Sequence, residues 1–178
     1  MLKKARHTFF MCVAVSLALF SGASGGTQME DADAGPVLNY HRINDRLVTG
    51  GRLLEGGSAV LKGEGVTVVI NLLDDPPKEE QQQFLESGIK WTNVPIEWLN
   101  PTGANFDRFS EVMREYSGDH VLVQCAANYR ASTMTYLYRI AVEDVAEDEA
   151  RKDMTDVWDP NEYDIWREYI NEIRQAND

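Results

Sequence analysis

The stretch VLVQCAANYRAS, residues 121–132, decides how this chain is read. A run of β-formers ends in Cys125, and the fifth residue after it is Arg130. HVLVQC (120–125) has the composition of a buried strand, and STMTYLYRIAVED (132–144) that of a helix. The residues between them must therefore turn from strand into helix. In a parallel sheet, ligands bind beyond the carboxyl ends of the strands. The backbone N–H groups of Ala126, Ala127, Asn128, Tyr129 and Ala131 are placed there with the helix N-terminus behind them, which makes an anion nest. The same positive end favours a thiolate at Cys125. Arg130 adds a planar, permanently charged fork that matches two oxygens of a phosphoryl or sulfuryl group. Ser132 has two available roles, a hydrogen bond to Cys125 or a cap on the helix.

The segments around this stretch alternate in type. VLNYHRI (37–43) and RLVTGG (46–51) read as two short strands about the turn Asn44-Asp45, and SAVLKGEG (58–65) as a weak helix. VTVVINLL (66–73) is a continuous apolar run, suited to a strand buried on both faces. PKEEQQQFLESG (77–88) has proline at a helix start and glycine at its stop, and IKWTNVPI (89–96) is the next strand. ANFDRFSEVMREYSG (104–118) is amphipathic, with Phe106, Phe109, Val112, Met113 and Tyr116 on one face. Two more helices, 147–158 and 161–175, end the chain, the latter capped by Asp159 or Asn161. Tyr136, Tyr138, Trp166 and Tyr169 fall at core-facing positions. Strands alternating with helices predict a single α/β domain with a mostly parallel sheet flanked by helices.

At 178 residues, 43% hydrophobic and 26% charged, the chain has the composition of one globular domain. Its formal net charge of −12 argues against nucleic acid or an anionic membrane as partner. Residues 1–23 have a basic start (Lys3, Lys4, Arg6), an apolar run TFFMCVAVSLALF, and Ser21 and Ala23 at −3 and −1 of a cleavage site. That is the pattern of a secretory signal peptide, and it predicts a secreted or periplasmic protein without stable membrane insertion after cleavage. The apolar run is short for a span, and no cysteine ends it to accept a lipid. Residues 24–36, small and acidic, are expected to form a flexible leader before a domain over 37–178. Cleavage after Ala23 leaves 14 basic against 29 acidic side chains, about −15, from the 17 and 29 of the whole chain. It also removes Cys12, so Cys125 has no partner for an internal disulfide. A buried small apolar side chain, an intermolecular bridge and a reactive thiol remain as explanations. Nothing in the chain fixes an oligomeric state.

QCAANYRAS after the strand HVLV resembles the signature loop of cysteine-dependent protein phosphatases, of the tyrosine and dual-specificity type. Over residues 37–175 the chain is most similar to a small bacterial phosphatase-like group whose domain also occurs attached to β-lactamase-like hydrolases. In that group a start like INDRLVTGG, a strand like VTVVINL and a loop like CAANYRAS recur in this order. The resemblance implies a tyrosine-phosphatase-like fold, attack on phosphorus by Cys125, oxygens held by Arg130, and hydrolysis of a phosphocysteine. It implies a phosphorylated or other oxyanionic substrate and no cofactor. Four residues separate Cys125 from Arg130, where the common phosphatase loop has five; without a gap, Cys125 and Ser132 match and Ala131 stands at the arginine position. The shorter spacing equals that of many rhodaneses, which carry sulfane sulfur on a cysteine. Gln124 stands where the larger family has histidine. A sulfurtransferase and a non-catalytic anion-binding module are therefore the alternatives.

Cleavage of a phosphomonoester also needs an acid for the leaving oxygen. In the larger family an aspartate supplies it from a loop after the preceding strand, a region that reads NVPIEWLNPTGANFD here. Glu97 is the first choice, and Asp107 the second, carried by a mobile loop at Pro101–Gly103. Trp158-Asp159-Pro160 is read as the boundary between two helices. His41 and His120 stand apart with no ligand-spaced partner, so no metal site is expected. Arg52 is read as a surface residue that could also reach the site, and Tyr129 as covering either an aromatic substrate or a surface groove.

Overall fold

The computed structural model describes residues 35–177. The predicted signal segment, and the predicted leader up to Ala34, lie outside the described residues. Five strands form one sheet: β1 (His41–Asn44), β2 (Leu47–Gly50), β3 (Val68–Asn71), β4 (Lys90–Asn93) and β5 (Val121–Gln124), in the order β1-β2-β5-β3-β4. β2, β5, β3 and β4 run parallel, and β1 pairs antiparallel at the edge. β5 is thus the central strand, buried along its whole length.

The period-two alternation of each strand assigns its side chains to two cores. Val48, Val69 and Leu122 point to one face, where helices α1 (Gly57–Gly63) and α2 (Lys78–Glu86) add Leu61 and Phe84. Leu47, Val68, Ile70, Val121 and Val123 point to the other. There α3 (Gly103–Glu115), α4 (Tyr129–Ala141), α5 (Glu147–Thr155) and α6 (Asp164–Asn177) pack a larger core through Phe109, Met134, Tyr136, Leu137, Met154 and Trp166. The continuous apolar run 66–73 fits a strand buried on both faces, and Val66, Val68, Val69, Ile70 and Leu72 are all fully buried.

Of the boundaries that differ from the sequence reading, three bear on the site and the chain around it. The first strand starts at His41 rather than Val37, because Asn39 sits at φ 48, in the left-handed region that no strand continues through. Residues 37–39 instead fold back on the segment after β2, with Leu38 N–H donating to Arg52 O and Gly51 N–H to Leu38 O. The helix after Cys125 starts at Tyr129, not near Ser132, because Asn128 at φ 70 turns the chain directly into its first turn. The last helix starts at Asp164; Asp159 caps a short 3-10 turn, Pro160–Glu162, by accepting from Asn161 N–H at 2.9 Å. The domain also reaches slightly upstream of residue 37, since the Pro36 carbonyl accepts from Leu54 N–H.

Candidate active site

The four parallel strands each end on a polar residue or glycine, and those ends are wired together. Asn93, Asn71, Gln124 and Gly50 are in register as the last residues of β4, β3, β5 and β2. Asn93 Nδ2 donates to the Asn71 and Leu73 carbonyls, Asn71 Nδ2 to Gln124 Oε1 at 2.8 Å, and Gln124 Nε2 to the Gly51 carbonyl at 3.1 Å. Gln124 and Asn71 are almost fully buried, so these amides have no water to fall back on. They fix the carboxyl edge of the sheet on which the cysteine loop stands. Gln124 is a cross-strand brace here.

Cys125 follows directly, with its N–H donating to the Gly50 carbonyl at 3.1 Å. Gly51 lies so close to the loop that a Cβ there would sit 2.7 Å from the Ala126 carbonyl oxygen and 3.0 Å from Ala127 Cα. That contact is why Gly51 has no side chain. The carbonyls of the loop turn outward. Ala126 O accepts from Arg52 N–H at 3.0 Å, and Ala127 O from Asn39 Nδ2 at 3.1 Å. Of the loop residues that line the cleft, Ala126, Tyr129 and Arg130 have N–H groups with no hydrogen-bond acceptor among the described residues, while Ala127 pairs with Gly51 in an isolated antiparallel bridge and Asn128 and Ala131 are fully buried. The next N–H, of Ser132, closes the helix on the Asn128 carbonyl. Three unused donors lining one cleft with a thiol are unusual, since backbone N–H groups are otherwise almost always paired.

A cleft of about 260 Å³ opens in front of the loop, lined by Cys125, Ala126, Ala127, Tyr129, Arg130, Trp98 and Tyr163. Arg130 is its one charged lining residue. The Arg130 side chain is buried, and its Nη1 donates to the Ile96 carbonyl at 2.6 Å and to Asp74 Oδ1 at 3.2 Å. Nε and Nη2 have no acceptor among the described residues, so one edge of the fork is held and the other is free for an anion. Tyr129 stacks on Trp158, with ring centroids 4.7 Å apart and planes within 4°. Trp98 packs edge-on to Tyr163 and against Trp166. The aromatic walls are therefore backed by buried rings and hold their shape.

The structure brings together Cys125, Ala126, Ala127, Tyr129 and Arg130 and turns the others away. Asn128 is fully buried, and its Nδ2 donates to Asn39 O and Thr49 Oγ1. Ala131 is buried in the core. Ser132 takes neither expected role: its Oγ donates to the Asn128 and Tyr129 carbonyls within its own helix turn. Glu97 is exposed and lines a second cleft with Asp74, Asn100, Thr102 and Asn105. That cleft meets the first through the Asp74–Arg130 ion pair. Asp107 is exposed on α3 and lines neither cleft. The segment before it is tied down, since Thr102 and Asn105 form a capping box and Tyr169 Oη donates to Thr102 O. Arg52 directs its guanidinium to Glu80 rather than to the thiol. Sequence reasoning passed over Asp74, Trp98 and Tyr163. Asp74 carried one usable signal, its place just beyond the carboxyl end of β3. Among the described residues no group of three His, Cys, Asp or Glu side chains gathers to hold a metal.

No family model and no curated protein matches the chain. Solved structures do. A DUF442 chain of Shewanella putrefaciens CN-32, described as a candidate phosphatase, is similar in two structures. The first is 27% identical over 80% of this chain and 92% of that one, with a TM-score of 0.69. The second is 29% identical over 79% and 94%, again with a TM-score of 0.69. TpbA of Pseudomonas aeruginosa, in complex with phosphotyrosine, is 16% identical over 78% of this chain and 90% of that one, with a TM-score of 0.64. The mostly parallel five-stranded sheet, its flanking helices and its C-terminal helices are those of the cysteine-based tyrosine and dual-specificity phosphatase fold.

Proposed function

We propose that the protein is a cysteine-dependent phosphatase that hydrolyses a phosphomonoester through a phosphocysteine. The observation that carries this reading is the cleft that Cys125 and the Arg130 side chain share with the acceptor-free N–H groups of Ala126, Tyr129 and Arg130. Such donors complement the peripheral oxygens of a phosphoryl group, and their dipoles are fixed before substrate arrives. The Cys125 thiolate attacks phosphorus, the S–P bond forms as the ester P–O bond breaks, and the leaving oxygen takes a proton from Glu97. Water then attacks phosphorus and gives its proton to the Glu97 carboxylate. The S–P bond breaks, and phosphate leaves. Glu97 is assigned the acid role because it is exposed, has no ion-pair partner among the described residues, and directly precedes Trp98 of the cleft wall. We further propose that the chain acts after export, as its first 23 residues suggest.

The four-residue loop favours one other chemistry, sulfur transfer. There the thiolate attacks the outer sulfur of thiosulfate, sulfite leaves, and cyanide removes the persulfide sulfur as thiocyanate. Assays on the purified protein separate the two. The phosphatase reading expects phosphate release from p-nitrophenyl phosphate, inhibition by vanadate, and loss of turnover in Cys125→Ser. Thiocyanate formation without phosphate release would replace it with sulfur transfer. Phosphate binding with neither turnover would leave an anion-binding module.

A further inference from the structure

We propose that the cleft takes the phosphomonoester of a flexible apolar alcohol, in its simplest form a straight-chain alkyl phosphate, and that Tyr163 is the residue that selects the chain. The inference rests on the cleft being the phosphoryl site, as above, and names the organic half of the substrate. The cleft holds about 260 Å³. A phosphoryl group fills roughly the space of two or three waters, at about 30 Å³ each. Well over half of the cleft therefore lies beyond it. That remainder is continuous with Cys125 and Arg130, so it belongs to whatever the phosphoryl group is attached to.

The lining selects against a charged body. Arg130 is the one charged residue in it, and its guanidinium is shared among the phosphoryl oxygens, the Ile96 carbonyl and Asp74. No second cation lines the cleft to meet another anionic group. Beyond the loop the walls are Trp98, Tyr129 and Tyr163. Trp98 stands at 46° to Tyr129 with centroids 6.4 Å apart, and at 81° to Tyr163 at 5.3 Å. The rings pack on one another as a single tilted surface. Neither pair leaves two parallel faces across a gap, the slot that would grip a flat ring on both sides. Tyr129 also has one face covered by Trp158. A chain can bend along such a surface, and each methylene it buries adds to binding. Tyr163 is the most exposed of the three rings, at 40%, so it has apolar surface left to cover. Its backbone is held, since the Tyr163 carbonyl accepts from the Trp166 and Arg167 N–H groups.

Alkylphosphonates test this without turnover, because their C–P bond is not an ester. In calorimetry with ethyl-, butyl- and hexylphosphonate, affinity should rise about fourfold for each methylene the wall covers. Hexylphosphonate should also bind more tightly than phenylphosphonate, which has the same number of carbons in a flat ring. Vanadate should displace it, which places its head in the cysteine loop. In Tyr163→Ser the ratio of hexyl to ethyl affinity should fall about tenfold, the worth of nearly two buried methylenes; Tyr163→Phe should keep the wild-type ratio. Flat affinity from ethyl to hexyl, tighter binding of the phenyl compound, no displacement by vanadate, or an unchanged ratio in Tyr163→Ser would each overturn the proposal. Phosphate release from p-nitrophenyl phosphate without the rise in affinity would do the same and leave the phosphatase reading in place. The rise in affinity in a protein that hydrolyses neither hexyl phosphate nor p-nitrophenyl phosphate would support the apolar subsite and sink the phosphatase reading instead.

Discussion

Replacing Gln124 by leucine should cost the fold more than any other single change at the strand ends, and the size of the loss can be built from its contacts. Two side-chain hydrogen bonds disappear, from Asn71 Nδ2 at 2.8 Å and to the Gly51 carbonyl at 3.1 Å. Each is worth about 1 kcal/mol net. Asn71 is 1% exposed, so its stranded amide adds about 1–3 kcal/mol of desolvation. The new methyl groups return about 1 kcal/mol. The balance is a destabilisation of about 2–4 kcal/mol, a large part of the roughly 5–15 kcal/mol that holds a domain together. Urea titration followed by tryptophan fluorescence reads it directly, and the melting temperature should fall by about 6–12 °C. Pairing the change with Asn71→Leu in a double-mutant cycle should return a coupling of about 1–2 kcal/mol. Phosphate affinity should fall as well, because the released Gly51 carbonyl adjoins the Arg52 N–H that holds Ala126. A Gln124→Leu protein within about 0.5 kcal/mol of wild type, the spread of ordinary neutral changes, would refute the idea that these amides brace the loop.

Gly51→Ala puts a methyl group 2.7 Å from the Ala126 carbonyl oxygen, and backbone cannot swing aside; about 1–3 kcal/mol of stability and most phosphate binding should be lost, by melting and calorimetry. Asp74→Asn removes a half-exposed carboxylate that shares Arg130 with the anion, while the Ile96 carbonyl keeps the guanidinium in place. Phosphate should then bind up to about fivefold tighter, the scale of one screened ion pair. His120 is held below its ordinary pKa of 6.5, first by burial and then by the charge of Arg42, and its Nε2 is buried with no hydrogen-bond partner among the described residues. The unfolded chain therefore takes up the proton more readily, so stability is intact above pH 6.5 and declines as pH falls below it. The slope of melting temperature against pH in that window should flatten in His120→Gln.

What the sequence made legible is what local pattern controls. The alternation of Val121, Leu122 and Val123, the continuous run at 66–73 and the helix stops placed the central strand, its neighbours and the layer order. Cys125 and Arg130 were legible because their chemistry is borne on a strand-to-helix turn only five residues long. The rest depends on approach between distant segments. Asn39, Gly51 and Asn128 each look like ordinary loop residues in a linear reading. Their roles come from a positive φ or a contact with a backbone 75 or more positions away. The aromatic walls were hidden in the same way: Trp158 was read as a helix boundary, and only the packing of α4 against the C-terminal turn stacks it on Tyr129. Ser132 shows the opposite error, a side chain with suitable chemistry at a suitable spacing that bonds its own helix instead.

On the proposed phosphatase reading, these positions together account for how a chain of net charge −12 would hold an anion. A site built from several lysines or arginines would fight the surrounding field and would change with salt. This cleft has one guanidinium, and Asp74 offsets part of its charge. The remaining attraction comes from peptide dipoles of the loop, oriented by Arg52 and the first turn of α4. Dipoles carry no net charge, do not titrate, and act over the short range of a single phosphoryl group. They reward an anion that sits in the loop and do little for one that is only nearby. A compact phosphomonoester gains the whole effect. An extended polyanion would gain it once and meet the acidic surface with every other charge. The buried amides at the strand ends follow from the same need, since a nest of dipoles binds only as well as its peptides are aimed.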